Sequence, residues 1–247
     1  MKFSRARTNG VEIAEMLTFL PGLVCDSRMY ARQVAAFPGA LVVDGYGMAD
    51  SITQMARVAL AAADENGADR LDLFGHSMGG RVAMEVARMA PRRVRRLALV
   101  STGVHSVGEG EPAKRAALQQ VGYDHGFAAL VDQWLPPMVA EANRDTPAYA
   151  EMREMSLSKG QALFDAQIRA LLARPPIDDL LPHLTCPVLV MTGELDVWAP
   201  PSQHRAIADA VPDAELVVVP GAGHMIMREA PGEVNAAIAR WLARPAD

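Results

Sequence analysis

The chain has 247 residues, half of them hydrophobic, and a formal net charge of −5. That is enough apolar material for one large α/β domain, and the acidic balance argues against a nucleic-acid partner, which demands a basic surface. No stretch reaches the roughly 18 apolar residues of a membrane span. With only Cys25 and Cys186, no CxxC pair and no metal-ligand spacing, neither a disulfide framework nor a metal centre is expected.

The opening residues, Met1 to Arg7 followed by Thr8-Asn9-Gly10, carry no apolar region of signal-peptide length, so a cytoplasmic protein is expected. Val11 to Glu15 reads as one weak strand and Met16 to Leu20 as a buried one, broken by Pro21-Gly22. Asp26 or Ser27 can cap a helix running to about Phe37. Ala40 to Asp44 reads as a second main strand. Ser51-Ile52-Thr53-Gln54 fits a capping box, and an Ala-rich helix follows to about Asn66-Gly67. Leu71 to Phe74 is the third strand. A helix beyond it reaches about Ala90 and stops before Pro91. The basic run Arg92-Arg93-Val94-Arg95-Arg96 is read as a solvated connection, and Arg96 to Val100 as the fourth strand. From about Val104 to His183 the rhythm changes to helical patterns, over Pro112 to Val121, Phe127 to Trp134, Pro147 to Leu157 and Gly160 to Ala173. Strands return at Pro187 to Thr192 and Leu216 to Val219, each followed by a helix, near Ser202 to Ala210 and Pro231 to Leu242.

Strands rich in Val and Leu that alternate with helices predict an α/β fold with a mostly parallel, doubly wound sheet. Residues 1–104 and 184–247 would form the core. Residues 105–183 would be a helical lid inserted after the fourth recognisable strand, above the carboxyl ends of the strands, where such sheets place reactive groups.

Phe74-Gly75-His76-Ser77-Met78-Gly79-Gly80 sits between strand three and its helix. This is G-x-S-x-G in the strand–turn–helix context of a nucleophile elbow. The turn strains the backbone and lifts Ser77 clear of the sheet, while the Met78 N–H lies at a helix N-terminus that favours an anion. A serine hydroxyl needs a base, and the base needs an orienting carboxylate. Among six histidines, His224 follows the last strand in the Gly-rich loop Gly221-Ala222-Gly223-His224-Met225, where a base can reach Ser77. His76, inside the elbow, is read as pointing elsewhere. Asp196 follows the penultimate strand in Thr192-Gly193-Glu194-Leu195-Asp196, with Glu194 as its rival.

These three loops, with weaker support from Leu20-Pro21-Gly22-Leu23 and Arg240-Trp241-Leu242, resemble the α/β-hydrolases, in particular the lidded serine esterases, lactonases and C–C hydrolases. The resemblance covers about 16 to 243, and its order Ser77, Asp196, His224 is that of the family. Two features depart from it. Relatives have His-Gly where this chain has Pro21-Gly22, and the short N-terminal segment leaves room for one or both leading antiparallel strands to be absent. The resemblance implies hydrolysis of a small ester with an apolar acyl part through an acyl-enzyme on Ser77. Asp196 and His224 would complete a triad, and the Leu23 and Met78 N–H groups an oxyanion hole. Enol-lactone or C–C bond hydrolysis, or a catalytically weak ligand receptor, are the alternatives. Trp134, Met138, Trp198 and Met225 are expected to line the pocket, along with Met152, Met155 and Met227. Lys114, Arg115, Arg144 and Arg153 are read as exposed helix faces rather than contacts to an acidic substrate. No nucleotide fingerprint or metal cluster appears, so no cofactor is expected.

Overall fold

A computed structural model of the chain describes residues 5–8 and 11–246, with side chains from Ala14 onward. Met1 to Ser4 and Asn9-Gly10, which entered the expectation about a leader segment, lie outside the described residues. Among the described residues, one seven-stranded sheet organises the chain. Its strands are β1 (Arg5–Thr8), β2 (Val11–Leu20), β3 (Leu41–Val42), β4 (Arg70–His76), β5 (Val94–Val100), β6 (Val188–Gly193) and β7 (Ala214–Val219). Six run parallel, in the order β2-β4-β5-β6-β7 with β3 beside β2, and β1 pairs antiparallel with the first half of β2. The helices are α1 (Ala31–Ala36), α2 (Ile52–Glu65), α3 (Met78–Met89), α4 (Glu111–His125), α5 (Phe127–Trp134), α6 (Pro147–Leu157), α7 (Gly160–Leu172), α8 (Pro201–Ala210), α9 (Ile226–Glu229) and α10 (Pro231–Ala243).

The parallel sheet follows from strands with no polar face. Every residue of β6, and every residue of β4 after Arg70, is buried. Such strands hold only when helices cover both faces. Four helices, α4 to α7, lie between β5 and β6, and no strand interrupts them among the described residues.

The structure amends the sequence reading in four places. Val11 to Glu15 and Met16 to Leu20 are one continuous strand, β2, and one leading antiparallel strand, β1, is present. The strand expected over Ala40 to Asp44 shrinks to Leu41–Val42. The helix after Asp26 begins as a 3-10 turn, Ser27–Tyr30, capped by the Asp26 carboxylate accepting from the Arg28 N–H. Finally, the basic run is only partly a solvated connection. Arg95 and Arg96 belong to β5, and Arg96 is 5% exposed. The reason is Asp72, a buried carboxylate opposite Arg96 on β4. Arg96 donates to Asp72 at 3.1 Å, while Arg95 pairs with both Asp72 and Glu15. A buried charge stays buried only when paired, and here the register supplies the pair.

Capping follows the pattern at Ser51, whose hydroxyl accepts from the Gln54 N–H at 3.2 Å. The Gln54 side chain reaches back to the Asp50 N–H, one residue before the position a capping box uses. No helix among the described residues is long and apolar enough to cross a membrane.

Candidate active site

Ser77 sits between β4 and α3 with φ 55° and ψ −116°, a strained conformation for a residue with a side chain. Its N–H donates to the Val100 carbonyl at 2.8 Å, and the Thr102 hydroxyl donates to the Ser77 carbonyl at 2.7 Å. The neighbouring strand β5 thus holds the turn. Glycine is required on both sides by space. A Cβ at Gly75 would lie 2.4 Å from the Gly79 carbonyl oxygen, and one at Gly79 would lie 2.1 Å from the Leu20 carbonyl oxygen. The elbow and the loop after β2 therefore meet backbone to backbone.

The structure brings Ser77, His224 and Asp196 together from three strand ends. Ser77 Oγ lies 2.9 Å from His224 Nε2, and His224 Nδ1 lies 2.9 Å from Asp196 Oδ2. A carboxylate only accepts, so Nδ1 carries the imidazole proton and Nε2 is free to accept from the serine hydroxyl. Asp196 also accepts from the N–H groups of Trp198 and Ala199, at 2.9 and 2.8 Å, and from the Thr192 hydroxyl at 3.3 Å. Burial works against its charge, but His224 beside it and these donors hold the carboxyl well below the usual range. The rival Glu194 is exposed and accepts from the Gly221 N–H instead.

His76 does not point away. It is buried against His224, ring centroids 5.1 Å apart, and its Nε2–H donates to the His224 carbonyl at 3.0 Å. Burial, with His224 next to it, pushes its pKa down to about 3.

The loop after β2 is anchored from below. The hydroxyl of Tyr30 donates to the Leu20 carbonyl at 2.7 Å, and that of Tyr46 to the Pro21 carbonyl at 3.1 Å. The Val24 N–H is taken by the Gln167 side chain of α7 at 2.8 Å. This leaves the N–H groups of Leu23 and Met78 without a partner among the described residues, at the edge of the cavity that Ser77 enters. Two unpaired donors beside a nucleophile are the arrangement an oxyanion needs.

That cavity has a volume of about 320 Å³, and Trp134, Met138, Trp198 and Met225 all line it. Met152, Met155 and Met227 do not; they are buried in the core. Arg144 and Arg153 lie elsewhere, Arg153 paired with Asp132, but Lys114 and Arg115 line the cavity, which corrects their reading as plain helix surface. Cys25 also reaches it. Burial, with Asp26 alongside, pushes its thiol up to about 12, so it offers no thiolate. Among the described residues no group of three or more His, Cys, Asp or Glu side chains is placed to hold a metal ion.

Two features had no sequence signal. The Glu229 carboxylate, at the end of α9, accepts from the N–H groups of Ala140, Gly223 and Met225 and from the Asn143 amide, all at 2.9–3.0 Å. The His224 N–H itself donates to the Met138 carbonyl at 2.8 Å. The other is His204 on α8, which accepts from the Thr102 N–H at 3.1 Å through Nε2 and donates through Nδ1 to the Pro200 carbonyl at 3.2 Å.

His204 gives a test of acid stability. Burial pushes its pKa from 6.5 down to about 4, and the bond from Thr102 requires an unprotonated Nε2. The unfolded chain therefore takes up the proton first. Stability is full above the unfolded value and falls as pH drops from about 6.5 toward about 4, by about 1.4 kcal/mol per pH unit for each such histidine. His76 adds to the slope in the same window. Urea midpoints are expected to drop between about pH 7.5 and about pH 5. Equal midpoints would show that neither histidine is held neutral by the fold.

A Ser–His–Asp array at the carboxyl ends of a parallel sheet, with an elbow in strained backbone, defines a class, and comparison with known proteins agrees. The chain belongs to the alpha/beta hydrolase family, whose profile matches residues 19–237. It is 30% identical over 201 residues to the dihydrolipoyllysine-residue acetyltransferase component of the acetoin cleaving system of Pseudomonas putida, a match that spans 78% of this chain and 51% of that one. The chain thus spans about half the length of that curated relative. It is 27% identical over 234 residues to a 2-hydroxy-6-oxononadienedioate/2-hydroxy-6-oxononatrienedioate hydrolase of Burkholderia vietnamiensis, over 87% of this chain and 81% of that one. Among solved structures it is similar to a malate-bound thermophilic esterase from Thermogutta terrifontis. Their TM-score is 0.82 at 28% identity, over 98% of this chain and 97% of that one.

Proposed function

We propose that this chain is a serine hydrolase that cleaves a small carboxylic ester through an acyl-enzyme on Ser77. One observation carries the reading: the unbroken relay from Ser77 Oγ through His224 to Asp196, with both links at 2.9 Å. Ser77 Oγ attacks the acyl carbonyl as its proton passes to His224 Nε2. The Leu23 and Met78 N–H groups bind the oxyanion, each good donor contributing roughly 3–4 kcal/mol. His224 then gives the proton to the departing alkoxide, and the carbonyl re-forms as the acyl-enzyme. Water, deprotonated by His224, attacks that ester and releases the acid and Ser77. Asp196 stabilises the imidazolium throughout.

Residues 105–183 act in this reading as the lid. Its support is that Leu118, Trp134, Met138 and Phe164 of this block line the cavity that Ser77 enters. A second reading, hydrolysis of a C–C bond next to a carbonyl, is favoured by the Burkholderia vietnamiensis relative and uses the same relay.

The experiment is fluorophosphonate labelling beside an ester, lactone and diketone turnover screen. The wild type is expected to be labelled once, at Ser77, and to hydrolyse short acyl esters fastest. Labelling elsewhere, or ligand binding with neither labelling nor turnover, would overturn the serine hydrolase; diketone turnover that outruns ester turnover would select the second reading.

A further inference from the structure

The cavity that Ser77 enters has an unbalanced charge at one end. Arg81, Lys114, Arg115 and Arg174 all line it, against two carboxylates, Glu109 and Glu111. Glu111 is already engaged by both Arg115 and Arg174. The ammonium of Lys114, an exposed residue of the cavity lining, has no ion pair or hydrogen bond among the described residues. Arg81 is the more telling case. It sits one helical turn past the nucleophile on α3 and is 7% exposed. It has no carboxylate partner among the described residues. One of its terminal nitrogens donates to the His105 carbonyl at 2.7 Å, and the other is buried with no partner. Arg174 donates to that same carbonyl at 3.3 Å, so two guanidinium groups share one neutral acceptor. Burial, with Arg174 next to it, pushes Arg81 down to about 9, which leaves it charged at neutral pH.

A buried guanidinium with no carboxylate in contact, and only the charge of Glu111 nearby, is costly, and a cavity wall is a place where a ligand can supply the anion it lacks. Folding alone does not explain the choice. An apolar side chain at position 81 would avoid the cost, as Val82 and Met84 do on the same helix. A carboxylate suits a guanidinium especially well, because its two oxygens match the planar fork.

We propose that Arg81, with Lys114 and Arg115 at the rim, forms an anion subsite, and that the substrate is an ester carrying a free carboxylate besides its scissile bond. The inference rests on the serine hydrolase reading of the same cavity. It changes the expected substrate from a wholly apolar ester to the monoester of a dicarboxylic acid, or an ester of a hydroxy acid. Hydrolysis of the dicarboxylic monoester then gives a dianion, and hydrolysis of the hydroxy-acid ester gives two monoanions.

The test compares p-nitrophenyl butyrate with the p-nitrophenyl monoester of glutaric acid, an acyl chain of similar length that ends in a carboxylate. In low salt the wild type is expected to prefer the acidic ester by about tenfold or more in kcat/KM, chiefly through KM. In Arg81→Met the ratio of acidic to neutral ester is expected to fall by about tenfold or more, and in Lys114→Ala by a smaller factor. A ratio is insensitive to how much of a variant is folded, and exposed Lys114 keeps the test alive if Arg81→Met does not fold. Turnover of both esters without preference, or a preference that survives both substitutions, would overturn the anion subsite alone. Turnover of neither ester would overturn the hydrolase reading and this inference with it.

Discussion

Asp196→Asn is expected to fold normally and to lose about ten-thousand-fold in kcat on any ester the wild type hydrolyses. The amide oxygen of Asn can still accept from the Trp198 and Ala199 N–H groups, so the loop after β6 keeps its shape. What changes is the other end. An amide nitrogen facing His224 Nδ1 donates where the carboxylate accepted, which drives the imidazole proton to Nε2. Nε2 then cannot take the Ser77 proton, and nothing stabilises the imidazolium. Steady-state kinetics on the same ester, with circular dichroism as the folding control, makes the measurement. A loss below about tenfold would remove Asp196 from the relay.

Glu229→Ala is expected to cost both rate and stability. The Glu229 carboxylate is the acceptor for four donors drawn from two segments, 223–225, which brackets His224 in sequence, and 140–143, which lies beside that loop in space. Removing it leaves three backbone N–H groups and one amide without partners, at about 1–3 kcal/mol for each that water does not reach. A fall of roughly 2–4 kcal/mol in unfolding free energy is expected, with kcat down about ten- to a hundredfold and KM changed little. Glu229 touches no reacting atom, so its role is to position the base. Glu229→Gln distinguishes this from general damage, because its one remaining oxygen can restore part of the network and part of kcat. If Glu229→Ala stayed folded with full kcat, the network would be irrelevant to the base.

Much of this site was legible because its parts are local. The elbow, its strand and its helix are contiguous, and a strand that becomes a helix across G-x-S-x-G leaves little freedom. Asp196 and His224 stand beside Ser77 because parallel strands deliver their following loops to one edge. The helices at Phe127–Trp134 and Pro147–Leu157 were legible from apolar spacing between prolines. Contacts between distant segments were not. Glu229 reads as an ordinary helix residue until Ala140 and Asn143, 89 and 86 positions away, arrive beside it. Arg96 reads as surface until the register sets it opposite buried Asp72. Met138 and Met155 look alike in sequence, yet one faces the cavity and the other the core, because helix packing decides the face. β1 was missed for a different reason: Arg5–Thr8 has no apolar alternation to announce a strand.

The Met138–His224 bond has a mechanical consequence. The His224 N–H is held by the Met138 carbonyl, and Glu229 fastens Ala140 and Asn143 to the same loop. The stretch 138–143 and the base therefore form one rigid piece, like a door jamb that carries the lock. Any swing of that stretch away from the sheet would draw His224 off Ser77 and disarm the enzyme as it opened. Traffic into the cavity is then left to a route that does not move this piece, and exposed Glu109, Lys114 and Trp198 stand in its lining.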